Sequence, residues 1–186
     1  MMEKPIIICA GSKYVDIDVL ACAVAYKELL GLKNKKAKIV FTGAFNKTVP
    51  TSVLTWNMDV SHGVPENLSD YNYVLVDISN PNYFEKFVVR EQVIEVFDHH
   101  HGFEKYWTNL IGESARIEPV GSCATLIWEE YKKHNKENMI SPTSANLIYT
   151  AIISNTLNFH LGAVFTGYIG ETKQLFLRKE ILKKFD

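Results

Sequence analysis

The chain has 186 residues, 47% of them hydrophobic, which is the length of one domain with enough apolar material for a core. Its net charge of −1 gives no electrostatic footprint for nucleic acid or an anionic membrane surface. No stretch reaches the ~18 uninterrupted apolar residues of a spanning helix, and the apolar run in "MMEKPIIICAGS" is too short for a signal segment, so a cytoplasmic protein is expected.

Short apolar runs alternate with helical patterns along the chain. Residues 5–10, "PIIICA", read as a buried strand. "IDVLACAVAYKELLG" follows as a helix, with Leu20, Ala23, Val24 and Leu30 on one face and Gly31 at the stop position. "AKIVFTG" (37–43), "YNYVLVDIS" (71–79) and "QVIEVFD" (92–98) read as three further strands. The run Val74, Leu75, Val76 is too continuously apolar for a strand with one wet face. "GSCATLIWEEYKKH" and "SPTSANLIYTAIISNTLNF" are then two helices, the second opening on Ser141 as cap and Pro142 in the first turn. A last helix is expected at roughly 171–185. This alternation argues one α/β domain, three layers deep, with a mainly parallel sheet of about five strands. Cys9, Cys22 and Cys123 sit in apolar stretches at no metal-finger spacing and read as small buried hydrophobes in a reducing compartment.

In open α/β sheets ligands bind beyond the carboxyl ends of the strands. Polar residues fall there repeatedly: "GSKYVDID" after the first strand, Asp77 after the third, and Asp98-His99-His100-His101 after the fourth. Each has a plain structural reading. Asp16 and Asp18 suit a helix cap and first turn, and Asp77 suits a turn. Three strand ends delivering carboxylates and imidazole to one sheet edge is also the inventory of a divalent-metal site, with imidazole adding affinity for an ion such as Mn²⁺.

"FDHHHGF" after an apolar strand resembles the signature of the DHH phosphoesterase superfamily. "AGSKYVDIDVLACAVAY" resembles its first motif, G-H-x-x-x-D-x-D, and "VLVDIS" its second. "EPVGSCATLIWEEY" and "LIYTAIISNTLNF" resemble segments of manganese-dependent (family II) pyrophosphatases and of the exopolyphosphatase and prune-like branch. The resemblance covers roughly residues 5 to 160. It implies that Asp16, Asp18, Asp77 and His99 ligate Mn²⁺ or Mg²⁺, with Asp77 bridging two ions ~3.5–4 Å apart that activate water for in-line attack on phosphorus. It further implies that Asp98 orients the histidines and that His100 faces the substrate phosphate.

Two ligand positions depart from the family's pattern. Its histidine is Ser12 here, and its late aspartate is Asn155. Three carboxylates then face two dications, so both ions should bind more weakly, the Ser12 side most of all, and only one ion could be held. His101 and His160 stand nearby in sequence but are not assigned as ligands. The family's smaller C-terminal domain, whose Lys and Arg close over the phosphates, is expected to be absent, leaving residues 1–186 as the DHH domain with Lys13 beside its site. The leading expectation is hydrolysis of a phosphoanhydride, pyrophosphate or short polyphosphate, with a homodimer left open. A silent metal- or phosphate-binding relative is one alternative. A phosphodiesterase acting on short oligonucleotides or cyclic dinucleotides is another, which the lack of basic charge disfavours.

Overall fold

The computed structural model describes residues 4–56 and 58–157. Their order is β1 (Ile6–Cys9), β2 (Tyr14–Val15), α1 (Ile17–Leu32), β3 (Ala37–Val40), β4 (Ala44–Phe45), the single turn α2 (Thr51–Leu54), β5 (Val60–Ser61) and β6 (Asn72–Val76), then β7 (Val93–Asp98), α3 (Glu104–Ile111), β8 (Ala115–Ile117), α4 (Cys123–Lys133) and α5 (Pro142–Asn155). Six strands form one sheet in the order β5-β3-β1-β6-β7-β8, every neighbouring pair parallel. The parallel α/β architecture is as expected, with six strands rather than about five. β2 and β4 pair separately as a small parallel ribbon.

The central strands are mostly apolar because both sheet faces are covered. On one face Ile6, Ile8, Ile39, Val74, Val76 and Phe97 pack with the buried residues of α1, α4 and α5. On the other, Ile7, Cys9, Val40, Tyr73, Leu75 and Val96 pack with Phe84, Phe87 and Trp107. Cys9, Cys22 and Cys123 are all buried free thiols within these cores.

Helix α1 is capped by Asp16, whose carboxylate accepts the Val19 N–H at 2.9 Å. It does not stop at Gly31: it continues through Leu32, and Asn34 takes the left-handed conformation at φ 59°. Asn tolerates that region through local side-chain bonding, so glycine was not needed. Helix α5 begins as expected, with Ser141 Oγ accepting the Ser144 N–H at 3.2 Å and Pro142 in its first turn. The helix expected near 171–185 lies outside the described residues, as does His160.

The topology decides where a ligand could sit. The chain first fills one half of the sheet with β1, β3 and β5, then crosses to β6 and fills the other half with β7 and β8. β1 and β6 are therefore central neighbours at a switch point, where a crevice opens beyond the carboxyl ends, and Gly11 and Phe84 of the segments that follow them pair as an isolated antiparallel bridge.

Candidate metal centre

Asp77 follows β6 directly, with its backbone N–H bonded to the Phe97 carbonyl at 2.8 Å and its φ at 56°. The side chain is 6% exposed, and its Oδ1 atom is buried without a hydrogen-bond partner. His99 Nε2 faces that atom at 3.3 Å. The other ring nitrogen, Nδ1, lies 3.0 Å from the Val120 carbonyl, which can only accept. Nδ1 therefore carries a proton, leaving Nε2 as the atom turned to the carboxylates. Burial, then the Asp18 carboxylate, pushes the Asp77 carboxyl above its ordinary value, against the pull of His99. Burial opposes charge on His99, but Asp77 and Asp18 together outweigh it and raise the imidazole above its ordinary value.

Asp98 terminates β7 and holds the histidines in place. Its Oδ1 accepts the backbone N–H groups of His99 at 2.8 Å and His100 at 3.1 Å, and it contacts His100 Nδ1 at 2.7 Å. Burial alone would raise its pKa, yet the His100 contacts hold it below the ordinary carboxylate value. His100 is thereby fixed with its ring 64% exposed. It lines a pocket of about 410 Å³ together with Ser12, Lys13, Asp16, Asp77 and Asp98. Two contacts hold this rim in place. Ser12 N–H bonds the Tyr83 carbonyl at 3.0 Å, and Trp107 Nε1 bonds the Ser79 carbonyl at 2.6 Å, pinning the segment after Asp77 to α3.

Asp18 lies deeper and is fully buried. It accepts the N–H groups of Cys123 and Ala124 and the Ser122 hydroxyl, each at 2.9 Å. These are the cap and first turn of α4, a helix with no acidic residue in its own first turn and no side-chain cap bond from Ser122. Asp18 supplies the missing negative charge at that positive helix end. Its Oδ2 is 3.8 Å from His99 Nε2 and also accepts a short hydrogen bond from the Asn155 amide.

The sequence-selected residues thus separate into groups. Ligand atoms of Asp77, His99 and His100 lie within 4.8 Å of one another, the one such cluster among the described residues. Asp16 caps α1 and lines the pocket with Ser12, burial pushing its carboxyl up. Asp18 and Asn155 pair beneath. His101 is exposed and turned to Glu104 at 3.2 Å, outside the cluster. The orphaned Asp77 oxygen, the prepared His99 nitrogen and the adjacent His100 are an O,N,N donor set suited to a divalent transition ion. Val120, Ser122 and the α4 amides escaped the sequence reading. The signal available for them was a helix start with no acid of its own, which needs an outside acceptor.

Comparison with known proteins places the chain in a family. The sequence is 30% identical over 161 residues to the manganese-dependent inorganic pyrophosphatase of Bacillus subtilis, covering 85% of this chain and 50% of that protein. It is 30% identical over 177 residues to a probable manganese-dependent inorganic pyrophosphatase of Bacillus velezensis, covering 94% and 55%. The chain therefore spans about half the length of these relatives. The crystal structure of an exopolyphosphatase-related protein from Bacteroides fragilis superposes with a TM-score of 0.72 at 16% identity, covering 98% of this chain and 53% of that one, and so shares the fold. Residues 6–152 match the DHH family, N-terminal domain, and the chain belongs to that family.

Proposed function

We propose that this domain is a metal-dependent phosphohydrolase acting on a phosphoanhydride, pyrophosphate or short polyphosphate. The observation that carries the reading is the orphaned Asp77 Oδ1, buried opposite the prepared Nε2 of His99 at the inner end of the crevice. The pyrophosphatase relatives supply the substrate class. A bound divalent ion would supply Lewis acidity toward a phosphoryl oxygen and acidify water beside it. Asp77 and His99 are assigned to hold it. Asp98 fixes His100 against the pocket, where the exposed imidazole can contact a phosphate, and Lys13 adds a cation at the rim. The proposed setting is the cytoplasm, which suits three unpaired buried thiols.

The hydrogen bond from Asn155 to Asp18 favours a second reading, a silent relative that binds metal without turnover. Phosphate release from pyrophosphate and tripolyphosphate, with Mn²⁺ or Mg²⁺, separates the two. Release that requires the ion and is lost in Asp77→Ala supports the enzyme. Tight Mn²⁺ binding with no release from either substrate would establish the silent relative instead.

A further inference from the structure

Asp18 has no room for an ion. Its Oδ1 takes the Ser122 hydroxyl and the Ala124 N–H at 2.9 Å and the Cys22 thiol at 3.6 Å, and its Oδ2 takes the Cys123 N–H at 2.9 Å and the Asn155 amide. An ionised carboxylate offers about four lone-pair sites and no proton. All are in use, and the group is fully buried, so water supplies nothing further. Because a carboxylate only accepts, the Asn155 atom facing it must be the NH₂ nitrogen, which cannot ligate a cation.

A second observation points the same way. Asp18 Oδ2 is 3.8 Å from His99 Nε2, yet Asp18 does not join Asp77, His99 and His100 in the cluster whose ligand atoms converge within 4.8 Å. Four of the five donors belong to the start of α4 or to the neighbouring turn of α1. Asn155, at the end of α5, is the one whose chemistry decides whether a cation could enter.

We propose that the Asn155 amide takes the place where a second cation would tie Asp18 to α5, so that the domain binds a single divalent ion, at Asp77 and His99. This rests on the metal-centre reading above and adds the number of ions and the residue that sets it. With aspartate at 155, two buried carboxylates would face each other, and a cation between them would relieve the repulsion. With asparagine, one hydrogen bond satisfies the Asp18 oxygen without adding a second negative charge.

The test counts Mn²⁺ bound per chain by equilibrium dialysis with metal analysis, and reads spin coupling by low-temperature electron paramagnetic resonance. Wild type is expected to bind one uncoupled ion. Asn155→Asp should bind two coupled ions, melt below wild type in EDTA, and recover on saturation with Mn²⁺. Asn155→Leu, which removes the donor without adding charge, should stay at one. Two ions in wild type would overturn the inference while leaving the metal centre intact. No bound ion in wild type would sink the metal-centre reading itself. A count of one in Asn155→Asp, with wild-type melting in EDTA, would remove Asn155 from its assigned role. The wild-type count decides the matter even if a variant does not fold.

Discussion

Asp77 combines an unfavourable backbone with an unfavourable side-chain position. An L-residue at φ 56° costs about 1 kcal/mol, and its buried oxygen lacks a hydrogen bond. Together these costs are why Asp77 is proposed as the principal ligand. Asp77→Ala should weaken Mn²⁺ binding by more than about 100-fold in calorimetric titration, beyond the effect typical of residues that merely orient a ligand. His101→Ala should change it by less than about twofold, because His101 is exposed and turned to Glu104. Equal losses would mean that the donors are misassigned. The placement of Asp77, His99 and His100 at the sheet edge was legible because they follow apolar runs that end there. The role of Asp18 was not. Apart from Cys22 of its own helix, its hydrogen-bond donors stand 104 to 137 residues away in sequence, and no local pattern encodes them.

The elements were legible in proportion to their length and to the chemistry at their ends. Ser141-Pro142 announced α5, and the Ser141 cap is reinforced by Glu28 of α1, which accepts the Ser141 N–H and hydroxyl at 2.6 Å each. β1, β3, β6 and β7 were visible as apolar runs. β5 and β8 are two and three residues long and half-exposed, too short for periodicity to register. α3 is amphipathic, but it begins straight after the histidines at Phe103, which gives no side-chain cap bond to mark its start. α4 shows how an element can depend on a remote one, since its first amides are satisfied by α1 rather than by its own cap. Asp18→Asn would turn an NH₂ group toward N–H donors and strand them. Urea denaturation in EDTA should show a loss of about 3 kcal/mol, more than the ~1 kcal/mol expected for Ser122→Ala. Similar small losses for both would mean that α4 does not rely on Asp18.

At the scale of the whole domain, an ion that binds only the folded state must stabilise it. Mn²⁺ at about 100 times its dissociation constant should add ~2.7 kcal/mol, raising the melting temperature by roughly 5–10 °C in calorimetry, and EDTA should reverse the rise. Asp77→Ala should melt at the same temperature with and without the ion. The wiring of Asp18 also bears on how the chain folds. Its carboxylate belongs to the first half of the sheet, while every donor outside α1 comes from residue 122 onward. A chain that has completed only β1 to β5 would have to bury that charge uncompensated or leave α1 undocked, and either costs several kcal/mol. The first half is therefore expected not to close as an independent unit before α4 and α5 are in place and residue 18 meets residues 122–155.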